Sequence, residues 1–307
     1  LNGKFIFIAN SFLDMINAQL MISPDTSDSR IRIFTKTAQN RNIPIIDVQH
    51  GITGKEAIEW KFNFSNKVAV WGQSSAETLK KFGVDKTKIK ITGCPRNEFF
   101  KEKNSKDKKI NFLKPKLNIL LASTFFDNDH RIFYKNGVLD AMKKSLLDIL
   151  ANDDFFSLKV KPHPHEDVKK IIQLAGNTNS ISFLKSSGDI RKNISDCSVF
   201  ISFGSTATFD ALLQNKLIIC PYFRGWQFSK LFVKSKVCLF PKNEKELKEI
   251  FNNLKTEGIH KYLKKLKPYK DKFVSDHMLV GKKSASELIV ELINENLGKK
   301  TTNARKK

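Results

Sequence analysis

Acidic side chains are scarce in this sequence of 307 residues: 31 Asp and Glu stand against 54 Lys and Arg, for a formal net charge of +23. Such a field attracts polyanions. Coding bias and solvated faces account for this composition as readily as attraction to anionic lipid headgroups or a phosphorylated acceptor does. Nucleic acid is not an expected partner, because the aromatic residues sit at core-like positions and do not interleave with the basic ones as a base-stacking surface requires. Long apolar runs are missing too, and no stretch approaches the roughly 20 residues of a membrane span. Cleavable-leader features are absent: residues 4–8 (KFIFI) read as a buried strand directly after Leu1. That opening suggests a first domain whose upstream strands are missing. The four cysteines, Cys94, Cys197, Cys220 and Cys238, show no metal-type spacing and read as buried free thiols of a reducing cytosol. There is no internal repeat and no spaced Gly-Lys-Ser/Thr of a P-loop. A hydrophobic fraction of 40% excludes disorder over most of the length.

What is present is alternation. Short β-rich runs at 4–9, 43–48, 67–71, 88–92, 118–123, 157–161, 180–184, 198–203, 217–220 and 236–240 predict strands. Amphipathic segments at 27–41, 74–83, 134–151, 166–176, 187–195, 206–215, 243–256 and 284–297 predict helices between them. Continuous apolar strands alternating with helices indicate an α/β chain with parallel sheets covered on both faces. The charged stretch 101–116 (KEKNSKDKKINFLKPK) interrupts the pattern and reads as a linker. The expected domains are therefore 1–112, incomplete at its start, and 113–297, followed by a basic disordered tail over 298–307.

Three strand ends carry chemistry. In 198–213 (SVFISFGSTATFDALL) a strand runs into Gly204-Ser205-Thr206 and then a helix. Glycine permits a tight turn and close approach of backbone N–H groups to a ligand. The hydroxyls either bind a phosphate at the helix start or cap an ordinary helix. In Lys161-Pro162-His163-Pro164-His165-Glu166 two prolines stiffen a loop at a strand's carboxyl end, the edge where open parallel sheets bind ligands. His163 can donate to a phosphate and Lys161 can neutralise it, while His165 can simply cap the next helix. No carboxylate or cysteine is spaced to join these histidines around a metal. In Asp47-Val48-Gln49-His50-Gly51, the Asp and His can supply a general base, or form a polar turn closed by Gly51.

Taken in order, IPIIDVQHGI (43–52), VAVWGQSSAETLKKFGVDKTKIKITGCPRNEF (68–99), LKVKPHPHE (158–166), DCSVFISFGSTATFDALLQNKLIICPY (196–222) and GKKSASELIVELI (281–293) resemble the GT-B-type capsule and surface-polysaccharide glycosyltransferases. The relatives include polysialyltransferase-like enzymes and CDP-glycerol glycerophosphotransferases. The resemblance implies two Rossmann-like domains, with a nucleotide sugar held mainly by the second and a polysaccharide or lipid-linked acceptor. It places His163 and Pro164 on the nucleotide and its phosphate, and Ser205 and Thr206 on the phosphate. His50 falls where the glycerophosphotransferases carry their base, and Asp210 where related enzymes carry an acid for the donor. No metal or cofactor beyond the co-substrate is implied, a cytidine nucleotide is favoured over a uridine one, and the setting is cytoplasmic. The acidic pair that serves as base in polysialyltransferases has no clear counterpart; Glu56 and Glu59 are merely nearby. The competing enzyme is a non-hydrolysing UDP-N-acetylhexosamine epimerase, whose paired glutamates are replaced here by Thr206-Ala207-Thr208-Phe209-Asp210. A non-catalytic module binding a nucleotide sugar or polyanion is the alternative from another class.

Overall fold

A computed structural model describes residues 2–24, 29–51, 63–98, 116–124, 137–176, 180–278 and 281–298. The chain divides into two compact units, Leu1–Glu102 with Val274–Lys307, and Lys103–Phe273. The first unit contains α1 (Asn2–Met15), β1 (Met21–Ser23), α2 (Ser29–Asn40), β2 (Ile45–Val48), β3 (Lys67–Val70), α3 (Gln73–Lys81) and β4 (Ile89–Ile91). Its strands form one parallel sheet in the order β1-β2-β3-β4. The second contains β5 (Leu117–Ala122), α4 (Val138–Ala151), β6 (Phe156–Lys161), α5 (Val168–Ala175), β7 (Ile181–Phe183), α6 (Ile190–Asp196), β8 (Val199–Ser202), α7 (Ala207–Leu213), β9 (Leu217–Ile219), α8 (Lys230–Lys234) and α9 (Glu244–Glu257). The division falls inside α10 (Ile259–His277), and α11 (Ala285–Asn296) belongs to the first unit.

The second sheet is parallel throughout in the order β7-β6-β5-β8-β9. The chain winds outward from β5 to β7, then crosses back to β8 on the other side of β5. That reversal creates a switch point beyond the carboxyl ends of β5 and β8, where α/β sheets take their ligands. Leu121, Val160, Ile201 and Ile219 are fully buried at its centre, as strands covered on both faces require. The helices arise from amphipathic spacing and local caps: in the second unit Asp167 and Asp189 accept from the N–H groups of Lys169 and Arg191, and in the first Ser284 forms a capping box with Glu287.

Three expectations are corrected. Residues 4–9 are helical within α1, not a strand. The apolar run continues past Asn10 into Phe12 and Leu13, long enough for a helix, and Ala9 and Leu13, four apart, are the buried pair. Residues 236–240 contribute a single bridge, Leu239 to Ile219, in place of a strand. The second domain does not run to 297. Leu292 of α11 packs with Ile46 and Ala69, so this segment completes the core of the first unit. Three of these elements were not expected from the sequence: α8, α10, which carries Pro268 in its interior, and the short β1. Residues 101–115 of the expected linker, residues 299–307 of the expected tail, and Glu56 and Glu59 lie outside the described residues. Among the described residues no helix is long and apolar enough to cross a membrane.

Docking of the C-terminal segment on the first unit leaves no room at Gly72, where a Cβ would lie 2.4 Å from the carbonyl carbon of His277. Gly72→Ala is therefore expected to destabilise the protein by about 2 kcal/mol, seen as a lower urea midpoint. An unchanged midpoint would contradict this packing.

Candidate functional site

In the second unit the site begins where β8 ends. Ser202 is fully buried, and its Oγ receives the backbone N–H groups of Gly204 (3.2 Å) and Ser205 (3.1 Å) and the Thr208 hydroxyl (3.0 Å). The turn is thus wound around one hydroxyl. Gly204 has φ +104°, and a Cβ there would lie 2.5 Å from the Phe228 carbonyl oxygen. Glycine is required by this backbone-to-backbone approach. The N–H groups of 204 and 205, expected to face a ligand, face Ser202. Trp226 closes the turn from behind, donating to the Phe203 carbonyl at 3.2 Å. The side chains left at the partly exposed rim are Ser205 and Thr206, while Asp210 is only 2% exposed in α7.

The loop after β6 is built more heavily. Lys161 donates to the carbonyls of Ser186 and Ser187, both at 2.8 Å, and to that of Lys185. Its three N–H donors are all engaged by this turn, so the ammonium holds backbone where the motif had suggested it would neutralise phosphate. Burial lowers its pKa. Glu166 accepts the Ser123 hydroxyl (2.8 Å) and the His163 backbone N–H (3.1 Å), and forms an ion pair with Lys143 of α4. Both side chains of that pair are 6% exposed. Lys143 also donates to the Thr124 carbonyl at 2.9 Å. The strand end 123–124 and the His163 loop are thereby tied together. His163 is partly exposed, and its Nδ1 accepts the backbone N–H of His165 at 3.3 Å. In the neutral ring the proton then resides on Nε2, which becomes a hydrogen-bond donor. Pro164 is exposed beside it.

In the first unit Gln49 shapes the turn after β2. Its backbone carbonyl accepts Trp71 Nε1–H and its side-chain oxygen accepts the Trp71 N–H, both at 2.8 Å, while its Nε2 donates to the Gly51 carbonyl at 2.7 Å. His50 is left exposed with Nδ1 2.6 Å from the Pro24 carbonyl. A carbonyl only accepts, so Nδ1 carries the proton and Nε2 of the neutral ring keeps a lone pair. Asp47 is fully buried on β2, where its Oδ2 accepts from Asn63 at 3.0 Å. It lies within the sheet, and the exposed member of the expected Asp–His combination is His50 alone.

The structure groups His163, Pro164, Ser205 and Thr206 on neighbouring strand ends flanking β5, and gives Lys161, Asp47 and Asp210 buried positions. Lys143, Ser202, Gln49 and Trp71 were not singled out from the sequence. Lys143 had a readable signal: it interrupts the apolar stripe Leu139, Met142, Leu146, Leu147, Leu150 of α4. Among the described residues, no three His, Cys, Asp or Glu side chains gather as a metal-ligand set.

The family model for CDP-glycerol:poly(glycerophosphate) glycerophosphotransferase matches residues 55–294. A search of curated proteins finds no match. Among solved structures, the chain is similar to the S. aureus MnaA–UDP co-structure, with 13% identity and a TM-score of 0.67 over 100% of this chain and 82% of that one. It is also similar to the UDP-GlcNAc 2-epimerase from Neisseria meningitidis bound to UDP-GlcNAc, at 14% identity and TM-score 0.64, covering 96% and 81%. A variant of the wall teichoic acid polymerase TagF matches at 16% identity and TM-score 0.55, covering 84% of this chain and 69% of that chain. At these identities the neighbours show the fold: two Rossmann-like units with parallel sheets, of the GT-B type.

Two features of this geometry can be tested directly. Thr124 Oγ1 is buried and has no hydrogen-bond partner among the described residues. Replacing that hydroxyl in Thr124→Val is expected to stabilise the ligand-free protein by about 1 kcal/mol, read as a raised urea midpoint; a lowered midpoint would contradict it. Burial, reinforced by His165 and Lys143 and opposed by Glu166, lowers the pKa of His163. The folded chain then resists a proton that an unfolded histidine takes up near ~6.5. This contribution to stability is present above that pH and is lost as pH falls through the lower folded value. His163→Gln should accordingly flatten the loss of stability on acidification, and an unaltered slope of urea midpoint against pH would count against the assignment.

Proposed function

Because the chain belongs to the CDP-glycerol:poly(glycerophosphate) glycerophosphotransferase family, we propose that it is a transferase that moves an activated group from a cytidine-nucleotide donor to a hydroxyl of a surface-polymer or lipid-linked acceptor. The observation that carries this reading is the pair of complementary histidines. His163 is held with Nε2 as a donor, suited to a phosphate oxygen, and His50 with Nε2 as an acceptor, suited to an alcohol proton.

In the proposed reaction the acceptor hydroxyl gives its proton to His50 Nε2, and its oxygen attacks the donor. With CDP-glycerol the attack is on the β-phosphorus, the P–O bond to CMP breaks, and glycerol phosphate is transferred. With a CMP-sugar the attack is on the anomeric carbon with inversion, and CMP again departs. A CDP-sugar would release CDP by the same displacement. The charge on the leaving phosphate is met by His163 Nε2–H and the hydroxyls of Ser205 and Thr206, as a preorganised set of donors. Lys161 supports this set from within through the carbonyls of 185–187, while Asp47 and Asp210 are buried. The proposal invokes no divalent metal. The net charge of +23 favours work beside anionic lipid or on a polyanionic polymer at the cytoplasmic membrane face.

Sugar transfer remains the second reading, favoured by the capsule-type motifs around His50 and His163. Epimerisation is disfavoured because Gly204-Ser205-Thr206 leads into a helix whose one acid, Asp210, is buried.

The deciding experiment combines calorimetry with CMP, CDP, UDP and GDP and a turnover assay of CMP or CDP release from CDP-glycerol and CMP- or CDP-sugars. Saturable binding of a cytidine nucleotide is expected. His163→Ala should weaken it about tenfold, the effect of one charge-assisted hydrogen bond. His50→Ala should leave nucleotide affinity intact and lower kcat about 10²-fold or more. Conversion of UDP-GlcNAc without an acceptor would establish epimerisation instead. Binding with no turnover of any donor would leave a non-catalytic module.

A further inference from the structure

The ion pair between Lys143 and Glu166 is an expensive feature for a core. Removing two such charges from water carries a large desolvation cost before their attraction is counted, and a buried pair rarely stabilises more than apolar side chains of the same volume. Its contacts point to a different use. Glu166 receives three groups from three parts of the unit: the Lys143 ammonium from α4, the Ser123 hydroxyl from the end of β5, and the His163 N–H from its own loop. Lys143 returns to the same strand end through the Thr124 carbonyl. The Glu166 N–H also donates to the His163 carbonyl at 2.9 Å, which closes a turn over 163–166. That turn places the His165 N–H against His163 Nδ1.

We propose that Lys143 and Glu166 are the positioning pair of the donor subsite: a neutral buried brace that fixes the His163 turn to the end of β5 and thereby decides which ring nitrogen of His163 faces the donor. The proposal rests on the reading of His163 as a donor contact. Neither member of the pair need touch the substrate. Their opposite charges cancel, so the brace adds no net field of its own to the phosphate subsite. Carboxylate is the suitable group because both of its oxygens accept: one serves Lys143 and Ser123, the other the His163 N–H. A glutamine in its place would turn an NH₂ toward either the ammonium or the His163 N–H, and the brace would open on one side.

Three alternatives give different signs. If the pair positions His163, Glu166→Gln and Lys143→Met each raise the Kd for CMP about tenfold or more. The double variant, in which glutamine can accept from the His163 N–H and turn its NH₂ toward the Ser123 hydroxyl, returns to within about threefold of the parent. If the pair acted only through its field, Glu166→Gln would leave a positive charge near the phosphate and tighten CMP binding. If it served only stability, the variants would melt earlier while the folded fraction kept the parental Kd. The ligand-free measurement is ¹⁵N NMR of the His163 ring. The parent and the double variant are expected to hold the Nε2–H tautomer, and Glu166→Gln to show a mixture. An unchanged tautomer with unchanged or tighter CMP binding in Glu166→Gln would overturn the proposal, and the double variant keeps the test readable if a single variant folds poorly. A His163→Ala chain that bound CMP normally would instead overturn the donor assignment, a failure separable from this one because the tautomer is read without ligand.

Discussion

A strand that leaves a parallel sheet takes its backbone N–H and C=O groups away from the ladder that satisfied them while they are still inside the protein. Buried polar groups left without partners cost more than most single contacts return. Each candidate loop is the local solution to that problem. Ser202 gathers the N–H groups beyond β8, Lys161 gathers the carbonyls of the turn over 185–187, Gln49 ties the turn after β2 to Trp71, and Glu166 with Lys143 closes the turn after β6. Because those side chains face inward, the ones left at the rim are few. Among the candidate site residues they are His163, Pro164, Ser205 and Thr206 in one unit and His50 in the other.

This division explains what the sequence made legible. The periodic apolar strands from residue 43 to 219 and the helices between them were readable, because a sheet buried on both faces demands continuous runs of Val, Ile and Leu. The order of the second sheet was not, since nothing local says that β8 returns to the far side of β5. The opening residues misled for a related reason: a short apolar run such as KFIFIA fits strand and helix equally until Phe12 and Leu13 extend it to helical length. Motifs located the strand ends correctly, but residue type alone could not separate a side chain that binds from one that braces. Lys161 looks like a phosphate ligand and holds carbonyls; Asp47 looks like a base and is sealed in a sheet. Gly204 looks like a phosphate-loop glycine and is demanded by the Phe228 backbone. In each case the deciding fact is long-range, such as the carbonyls of 185–187 for Lys161 or Phe228 for Gly204, each 24 or more residues away.

Family membership and fold bear on function differently. Structures related at 12–16% identity include epimerases and transferases alike, so the architecture is shared by several chemistries. The match to the glycerophosphotransferase family over 55–294 narrows the chemistry to group transfer from an activated donor. In the proposed reaction the two histidines give that transfer a physical form, one ring held to donate and one to accept, each fixed by a backbone partner.

The central claim is that the loops after β6 and β8 hold the nucleotide phosphate. Amide hydrogen exchange of the full chain, with and without saturating CMP, tests it most directly. The account predicts slowed exchange concentrated in peptides spanning 161–166 and 202–206. Saturated binding that protects other segments and leaves these two unchanged would contradict it.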